Sequence, residues 1–412
     1  MMRFVLSAAI FVFGSGALFA EPLSLNACYD LALKQSEQVS ILDAEWRAAE
    51  ARYRRASDSW MPDVSLASAH RFEPEVDDVS SSGNRHEVLL TASQPIFTGF
   101  RLTREAEAAK AETRAAWLRS ARFKEVLYQD VSDVFYQTLL NQEDIKVLDA
   151  LAAALEQRVA ELDRRVKLGR SRKGDLLGAQ TDLEDVKVIR EATAGRLAAS
   201  RELLSFLTGQ AAESLVVADA SAWTRAPDLD TALTNATARK DIRAAEAGVE
   251  GAERRLAAEK GSRWPQIRAG ADYTLYEDPD NDSTWGALLT LELPIFDDNV
   301  IKSRIEESRE ALNISRLNLA RLRRESASDV RLAFSDFSSS LAQWQSLGRA
   351  LQVAEENYAL QQDDYALGRA SNLDVLSALA QVQNFRRRAV LAEMQARASL
   401  VRLHVAAGEV AP

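Results

Sequence analysis

The chain has 412 residues, 47% hydrophobic and 27% charged, and a formal net charge of −10 at pH 7. This acidic balance, with no basic patch interleaved with aromatics, excludes a nucleic-acid surface. A single cysteine, Cys28, excludes an intrachain disulfide framework and any multi-cysteine metal site.

Residues 1–20 read as a secretory leader: Arg3 is the only charge, Phe4 to Phe19 form the apolar core, and Ala20 precedes Glu21-Pro22. That run is too short and too N-terminal for a transmembrane helix, and no later stretch reaches spanning length. An exported chain of this kind stays soluble or enters a membrane as a barrel. Leu23 to Asp58, rich in Ala, Glu and Arg, predicts a helical stretch with Ser24 as a candidate N-cap. Cys28 follows Leu25-Asn26-Ala27, which superficially resembles the box before a lipidated cysteine. The leader's apolar core ends well upstream and Asn26 fits the box poorly, so an unmodified, packed helix residue is expected.

Pro62 to Phe72 changes period: Val64, Leu66, Ser68, His70 and Phe72 alternate with Asp63, Ser65, Ala67, Ala69 and Arg71, a strand pattern. Residues 77–84 (DDVSSSGN) are turn material, and His86 to Phe97 is a second strand. From Phe100 to Leu168 the chain runs without Gly or Pro. Ile145, Leu148, Ala152, Leu155, Val159, Leu162 and Val166 step by three and four, a seven-residue repeat that requires a partner helix. Leu168-Gly169-Arg170 breaks the run. Leu176, Leu183, Leu197 and Leu204 continue the spacing on an arm returning over Asp175–Leu207, so a helical hairpin turns near 169–175.

The same object then recurs. Ala211 to Leu229 reads as a loop-like linker and Leu233 to Glu259 as a second short helical stretch. Ile267, Ala269, Ala271, Tyr273 and Leu275 alternate with polar neighbours, 278–283 (DPDNDS) make a turn, and Trp285, Ala287, Leu289, Leu291 and Leu293 face one way. A second long arm runs over Asp298–Leu367, with Gly348 as its one soft point, and returns over Leu373–Ala407. LGRSRKGDLL (168–177) answers LGRASNLDVL (367–376), and QPIF (94–97) answers LPIF (293–296), both at an offset of 199 positions. Gly209 and Gly408 match at the same offset, while WMPDVSLAS (60–68) answers RWPQIRAGA (263–271) with a slightly different one. Ordered landmarks of this kind mark a tandem duplication. The expected organisation is a signal peptide at 1–20, a first repeat at 21–210, a linker at 211–229 and a second repeat at 230–412.

The four strands, about ten residues long with one apolar and one mixed face, suit either a transmembrane barrel or a half-buried sheet packed on helices. The leader, the aromatics at the strand ends (Trp60, Phe97, Trp264, Tyr276, Trp285, Phe296) and the repeat favour the barrel. Four strands cannot close one, so more than one chain must contribute. No enzyme is expected: His70, His86 and His404 are scattered, and there is no phosphate-binding glycine loop or nucleophile elbow, so no catalytic residue, cofactor or metal ligand is assigned.

This order of leader, short helix, hairpin strands ending in P-I-F, long arm, L-G-R turn and return arm resembles the TolC-like outer-membrane efflux proteins, over essentially all of the mature chain. The resemblance implies a mainly α fold with a small β part. Duplicated antiparallel hairpins and four strands per chain would build a homotrimer with a 12-stranded β-barrel in outer-membrane lipid and an α-helical barrel extending into the periplasm. It implies a passive channel of a tripartite efflux or type I secretion system. The partners would be a periplasmic adaptor (membrane fusion) protein and an inner-membrane pump of RND or ABC type, with no nucleic acid. By position, Asp374 matches a constriction aspartate, and Ser377 stands where a second constriction carboxylate is expected. Asp175 and Tyr365 match members of a tether between rods, with Arg369 as basic partner one position early. Leu168, Gly169, Arg170, Leu367, Gly368 and Arg369 form the adaptor-docking turns. An aspartate in the first turn of a helix is also favoured as a cap, so Asp374 has two expected roles. A periplasmic adaptor usually has one hairpin between β-rich domains, and a purely structural coiled coil needs no alternating strands; both remain alternatives to the channel.

Overall fold

The computed structural model describes residues 22–71, 85–219, 223, 226–278 and 284–409. The expected leader, Phe72, the turns at 77–84 and 279–283 and part of the linker lie outside the described residues.

The elements are α1 (Leu25–Gln35), α2 (Glu37–Asp58), β1 (Asp63–Arg71), β2 (Arg85–Phe97), α3 (Arg101–Lys167), α4 (Lys173–Thr208), α5 (Leu229–Ala236), α6 (Lys240–Gly261), β3 (Gln266–Asp278), β4 (Trp285–Glu292), α7 (Val300–Ala366) and α8 (Asn372–Ala407). The long arms α3 and α7 have 67 residues each, and the return arms α4 and α8 have 36 each. The duplication is therefore exact in length for the long and return arms. It extends to the backbone: Gly99 and Phe100 before α3 are left-handed, and so are Asp298 and Asn299 before α7, at the same offset. That conformation is why α7 starts at Val300 and not at Asp298. Gly348 does not interrupt α7, because a cost of about 1 kcal/mol is small beside the propagation of so long a helix.

The two short helical stretches are each split. Ser36 Oγ accepts the Val39 N–H at 3.3 Å, an N-cap that ends α1 and starts α2 afresh. Residues 237–239 likewise separate α5 from α6. Ser24 Oγ accepts the Ala27 N–H at 3.3 Å, as expected for a cap on α1. The linker is less loop-like than its composition suggests. It contains a 3₁₀ turn at Ala212–Ser214, and Val217 bridges Leu23 in parallel, with Leu215 and Val217 buried.

By internal packing the chain divides into two units. One comprises the described residues of Met1–Gln35, Asp130–Thr224 and Ser340–Ala398, the other Ser36–Gln129, Arg225–Ser339 and Ser399–Pro412. In the first unit the seam is real. Leu148, Leu151 and Leu155 of α3 pack with Leu183 and Val186 of α4 and Leu379 of α8, flanked by Ala152, Val159, Ile189, Leu376 and Tyr358. In the second unit α6 meets α3 through small residues: the Gly251 Cα edge faces Ala108 O and Ala111 Cβ at 3.5 and 3.7 Å from where a Cβ would sit. Arg239 is nearly fully buried there, held by both oxygens of Asp241 (2.9 and 2.8 Å) and by Asp329 at 3.1 Å.

The second unit also holds the sheet, antiparallel throughout in the order β1-β2-β3-β4. Register places Leu66 beside Leu90, Leu90 beside Tyr273 and Tyr273 beside Trp285, so one face is apolar across all four strands. Ser65, Thr91 and Asp272 line up on the other. β1 and β4 are exposed nearly throughout, with Val64 at 62%, Trp285 at 78% and Leu289 at 70%. A sheet packed on helices buries one face, so these exposures remove that alternative within the chain.

Candidate functional site at the hairpin turns

Both hairpins turn on the same backbone device. Gly169 has φ +70° and its N–H donates to Val166 O at 2.9 Å, while Arg170 N–H donates to Arg165 O at 2.8 Å. Gly368 has φ +73°, with Gly368 N–H to Tyr365 O at 3.0 Å and Arg369 N–H to Asp364 O at 2.8 Å. This pair of crossed bonds satisfies the last carbonyls of a helix and needs a left-handed residue, hence the glycine in each L-G-R. Leu168 and Leu367 on the outside of the two turns are 68% and 65% exposed.

The returning helices are then capped by the two predicted aspartates. Asp374 Oδ2 accepts from Ser371 N–H at 2.8 Å and Ser371 Oγ–H at 2.6 Å, and Ser371 Oγ accepts the Asp374 N–H at 3.3 Å. The side-chain bond from Ser371, then the backbone one, hold the Asp374 carboxyl below its ordinary value. Asp175 Oδ2 accepts from Ser171 Oγ–H at 3.1 Å and Arg172 N–H at 3.3 Å in the same way. Ser377, one turn after Asp374, is exposed like it. The structure thus gives Asp374 and Asp175 matching capping roles and leaves the Asp374–Ser377 edge of α8 open.

Tyr365 lies in a cluster that brings the two hairpins together. Its hydroxyl accepts from Arg165 Nη1 at 2.8 Å, and its ring lies 4.3 Å from the Arg158 guanidinium carbon and 4.9 Å from that of Arg165. Arg158 also donates to Asn372 Oδ1 through Nε at 2.8 Å and to Glu161 at 2.6 Å, and Glu161 accepts from Arg165 at 2.7 Å. The basic partners of Tyr365 are therefore Arg158 and Arg165 on α3. Arg369 contributes its backbone N–H to the turn. Further along, Asp144 on α3 takes Arg387 of α8 in a two-pronged pair at 2.6 and 2.9 Å, a second tie between hairpins.

Arg158, Arg165, Glu161 and Asn372 were not singled out from sequence. The signal was present in the spacing: Arg158 and Arg165 stand seven apart on α3, and Tyr358 and Tyr365 stand seven apart on α7. Tyr358 belongs to the same ladder. Burial raises its phenol above the ordinary value, and the charge of Arg158 opposes that. Cys28 is fully buried, and burial pushes its thiol up to about 11.

Comparison with known proteins follows the same lines. No curated protein matches the chain. Among solved structures, CusC superposes with a TM-score of 0.80 at 17% identity, covering 93% of this chain and 92% of that one. The outer membrane protein VceC of Vibrio cholerae gives 0.81 at 17%, covering 93% and 96%. The open state of the MtrE outer membrane channel of Neisseria gonorrhoeae gives 0.80 at 16%, covering 93% and 88%. At these identities the likeness establishes the fold, which this chain shares with those three proteins. The sequence itself matches the family described as outer membrane efflux protein over residues 28–210 and 232–409, one match on each repeat. The chain belongs to the outer membrane efflux protein family.

Proposed function

We propose that three copies of this chain form a passive conduit through the outer membrane and across the periplasm, the outer-membrane component of a tripartite efflux or type I secretion system. The observation that carries this is the open sheet: among the described residues β1 and β4 each have a neighbouring strand on one side only. In lipid every backbone polar group must be paired, so such a sheet is stable only when its edges close on other copies. Three copies supply twelve strands for a barrel and twelve helical rods, α3, α4, α7 and α8 of each, for a tunnel. The two structural repeats, 21–210 and 230–412, joined by 211–229, are the units of that architecture.

The hairpin turns are the docking ends. Exposed Leu168 and Leu367, with Arg170 and Arg369 beside them, offer a periplasmic adaptor an apolar point ringed by cations, and the adaptor couples the conduit to an RND or ABC pump. Asp374 and Ser377 form the constriction, where three aspartates converge. The Ser371 hydrogen bonds favour the ionised carboxyl, whereas mutual repulsion in a narrow ring opposes it. Either way the charge present attracts cations. Tyr365 with Arg158, Arg165 and Asp175 holds the rods in the closed arrangement.

Single-channel recording of the purified protein in planar bilayers tests the reading. The closed pore is expected to prefer cations and to be blocked by multivalent cations from the periplasmic side. Asp374→Ala should weaken both effects, while Tyr365→Phe should raise the open fraction with the cation preference retained. A pore whose ion preference and block are the same with and without Asp374 has its constriction elsewhere, and the aspartate is then a helix cap alone.

A further inference from the structure

We propose that the pocket formed by Lys260, Arg263, Trp264, Ile305 and Arg309 binds the phosphate of an anionic phospholipid headgroup at the helix-side border of the sheet. The inference rests on the outer-membrane reading of the sheet and adds a specific lipid site to it.

The pocket has a volume of ≈ 510 Å³ and is lined by those five residues. Ile305 is 4% exposed and forms a dry floor; Trp264 is 60% exposed at the mouth. The three cations are exposed, and none of them forms an ion pair with a carboxylate among the described residues. Their neighbours on the same helices differ. Arg254 is paired with Glu107 at 3.2 Å, Arg316 with Glu253 and Arg323 with Glu246 at 2.7 Å each, and Arg255 with Glu112. Glu259 and Glu307, close to these cations in sequence, line a different groove. Among the described residues, three cations without a carboxylate partner thus line one pocket where α6 ends and α7 begins.

That place is the border of the sheet. Trp264 and Pro265 lead directly into β3, and α7 follows β4. The chain at the helix-side ends of β1, β2 and β4 is apolar and exposed: Trp60 62%, Ile96 57%, Ile295 92% and Phe296 85%. Aromatic residues at the rim of an apolar sheet sit at headgroup depth, with phosphates just beyond the apolar band. An indole over a dry floor beside two guanidinium groups and an ammonium suits a phosphodiester, which arginine can grip with two parallel hydrogen bonds. Three cations exceed what a zwitterionic headgroup needs, since its own ammonium already offsets the phosphate; a net negative headgroup is favoured.

The repeat provides an internal control. Aligned on Pro62 and Pro265, and with α7 on α3 at the offset of 199, the first repeat has Ser57, Trp60, Met61 and Lys110 where the second has Lys260, Arg263, Trp264 and Arg309, so only one of the three cations recurs. The cationic pocket is therefore not a by-product of the shared architecture, and one site per chain is expected.

Native mass spectrometry of the delipidated full-length protein tests this, with phosphatidylglycerol, phosphatidylethanolamine and inorganic phosphate as separate probes. Wild type should retain phosphatidylglycerol in preference to phosphatidylethanolamine, up to one per chain at the tightest sites, and millimolar inorganic phosphate should not displace it. The triple variant Lys260→Gln, Arg263→Gln, Arg309→Gln should bind phosphatidylglycerol at least roughly tenfold more weakly. Arg263→Gln alone should lose about fivefold, a second arm for use if the triple variant assembles poorly. Unchanged phosphatidylglycerol retention in either variant, or displacement by inorganic phosphate alone, overturns the lipid site. Failure of the outer-membrane reading would show separately, as a protein that does not fractionate with the outer membrane whatever it binds.

Discussion

Individual side chains in this protein do more than one job, and the local one is always visible first. Asp374 closes a reciprocal box with Ser371 at the start of α8. Its folded pKa is depressed, so its contribution to stability is present above the unfolded value near 4 and is lost as pH falls through the lower folded value. Ser371→Ala should return the carboxyl toward its ordinary range and shift the acid limb of any cation block to higher pH; an unmoved limb means that the ring, not the cap, sets the titration. Cys28 is the second residue-scale test. A thiol with no exposure and a pKa of about 11 should resist maleimide until the protein is unfolded, and intact mass should show no diacylglyceryl group on it. Rapid labelling of the folded protein, or an added lipid mass at residue 28, would reverse the assignment. The placement of Asp175, Asp374 and the two glycines was legible from sequence because each is a local backbone requirement within a few residues. The Arg158–Tyr365–Arg165 stack was not, because its members lie some two hundred positions apart and only their seven-residue spacing hinted at a shared face.

At the scale of elements, long helices were the most readable feature. A run without Gly or Pro and a three-four apolar step leaves no competing structure, and the observed arms end within two residues of the expected positions. The short helices misled because a single serine, Ser36, can stop and restart a helix at no cost to its composition. The turns and ties between arms carry measurable weight. At Gly169 or Gly368, replacement by Ala places a Cβ in left-handed backbone at a cost of about 1 kcal/mol, and thermal melting in detergent should show a modest destabilisation for each. Nothing lies within 4 Å of either added Cβ, so the loss is backbone strain and not a clash. Gly99 differs: an added Cβ would sit 2.3 Å from Gly261 O and 2.7 Å from Trp264 Cβ, so Gly99→Ala should be far more damaging than either turn variant. Equal melting temperatures for the three variants would contradict this ordering. Asp144→Ala leaves Arg387 partly buried without its partner, and a loss of about 2–3 kcal/mol is expected, at the low end for such pairs because Arg387 retains 31% exposure. A double-mutant cycle with Arg387→Met separates the pair's interaction from the cost of the orphaned charge.

The whole molecule is where one chain's sequence says least, because an open sheet with an exposed apolar face depends on surroundings that the chain does not itself supply. Each edge strand, the nine residues of β1 and the eight of β4, presents roughly half its backbone N–H and C=O groups outward without a partner. Two such edges leave on the order of sixteen polar groups unpaired, and at ~1–3 kcal/mol each when buried this amounts to tens of kcal/mol. Total folding stabilities are about 5–15 kcal/mol, so no single chain can hold this sheet in a bilayer. The mature protein is therefore expected to require detergent and to contain three chains, as twelve strands close a barrel that four cannot. Mass measurement of the purified protein in detergent decides the point, and the count should persist on dilution because separation re-exposes every edge at once. A stable monomer that remains folded in detergent would remove the barrel, and with it the constriction at Asp374 and the conduit itself.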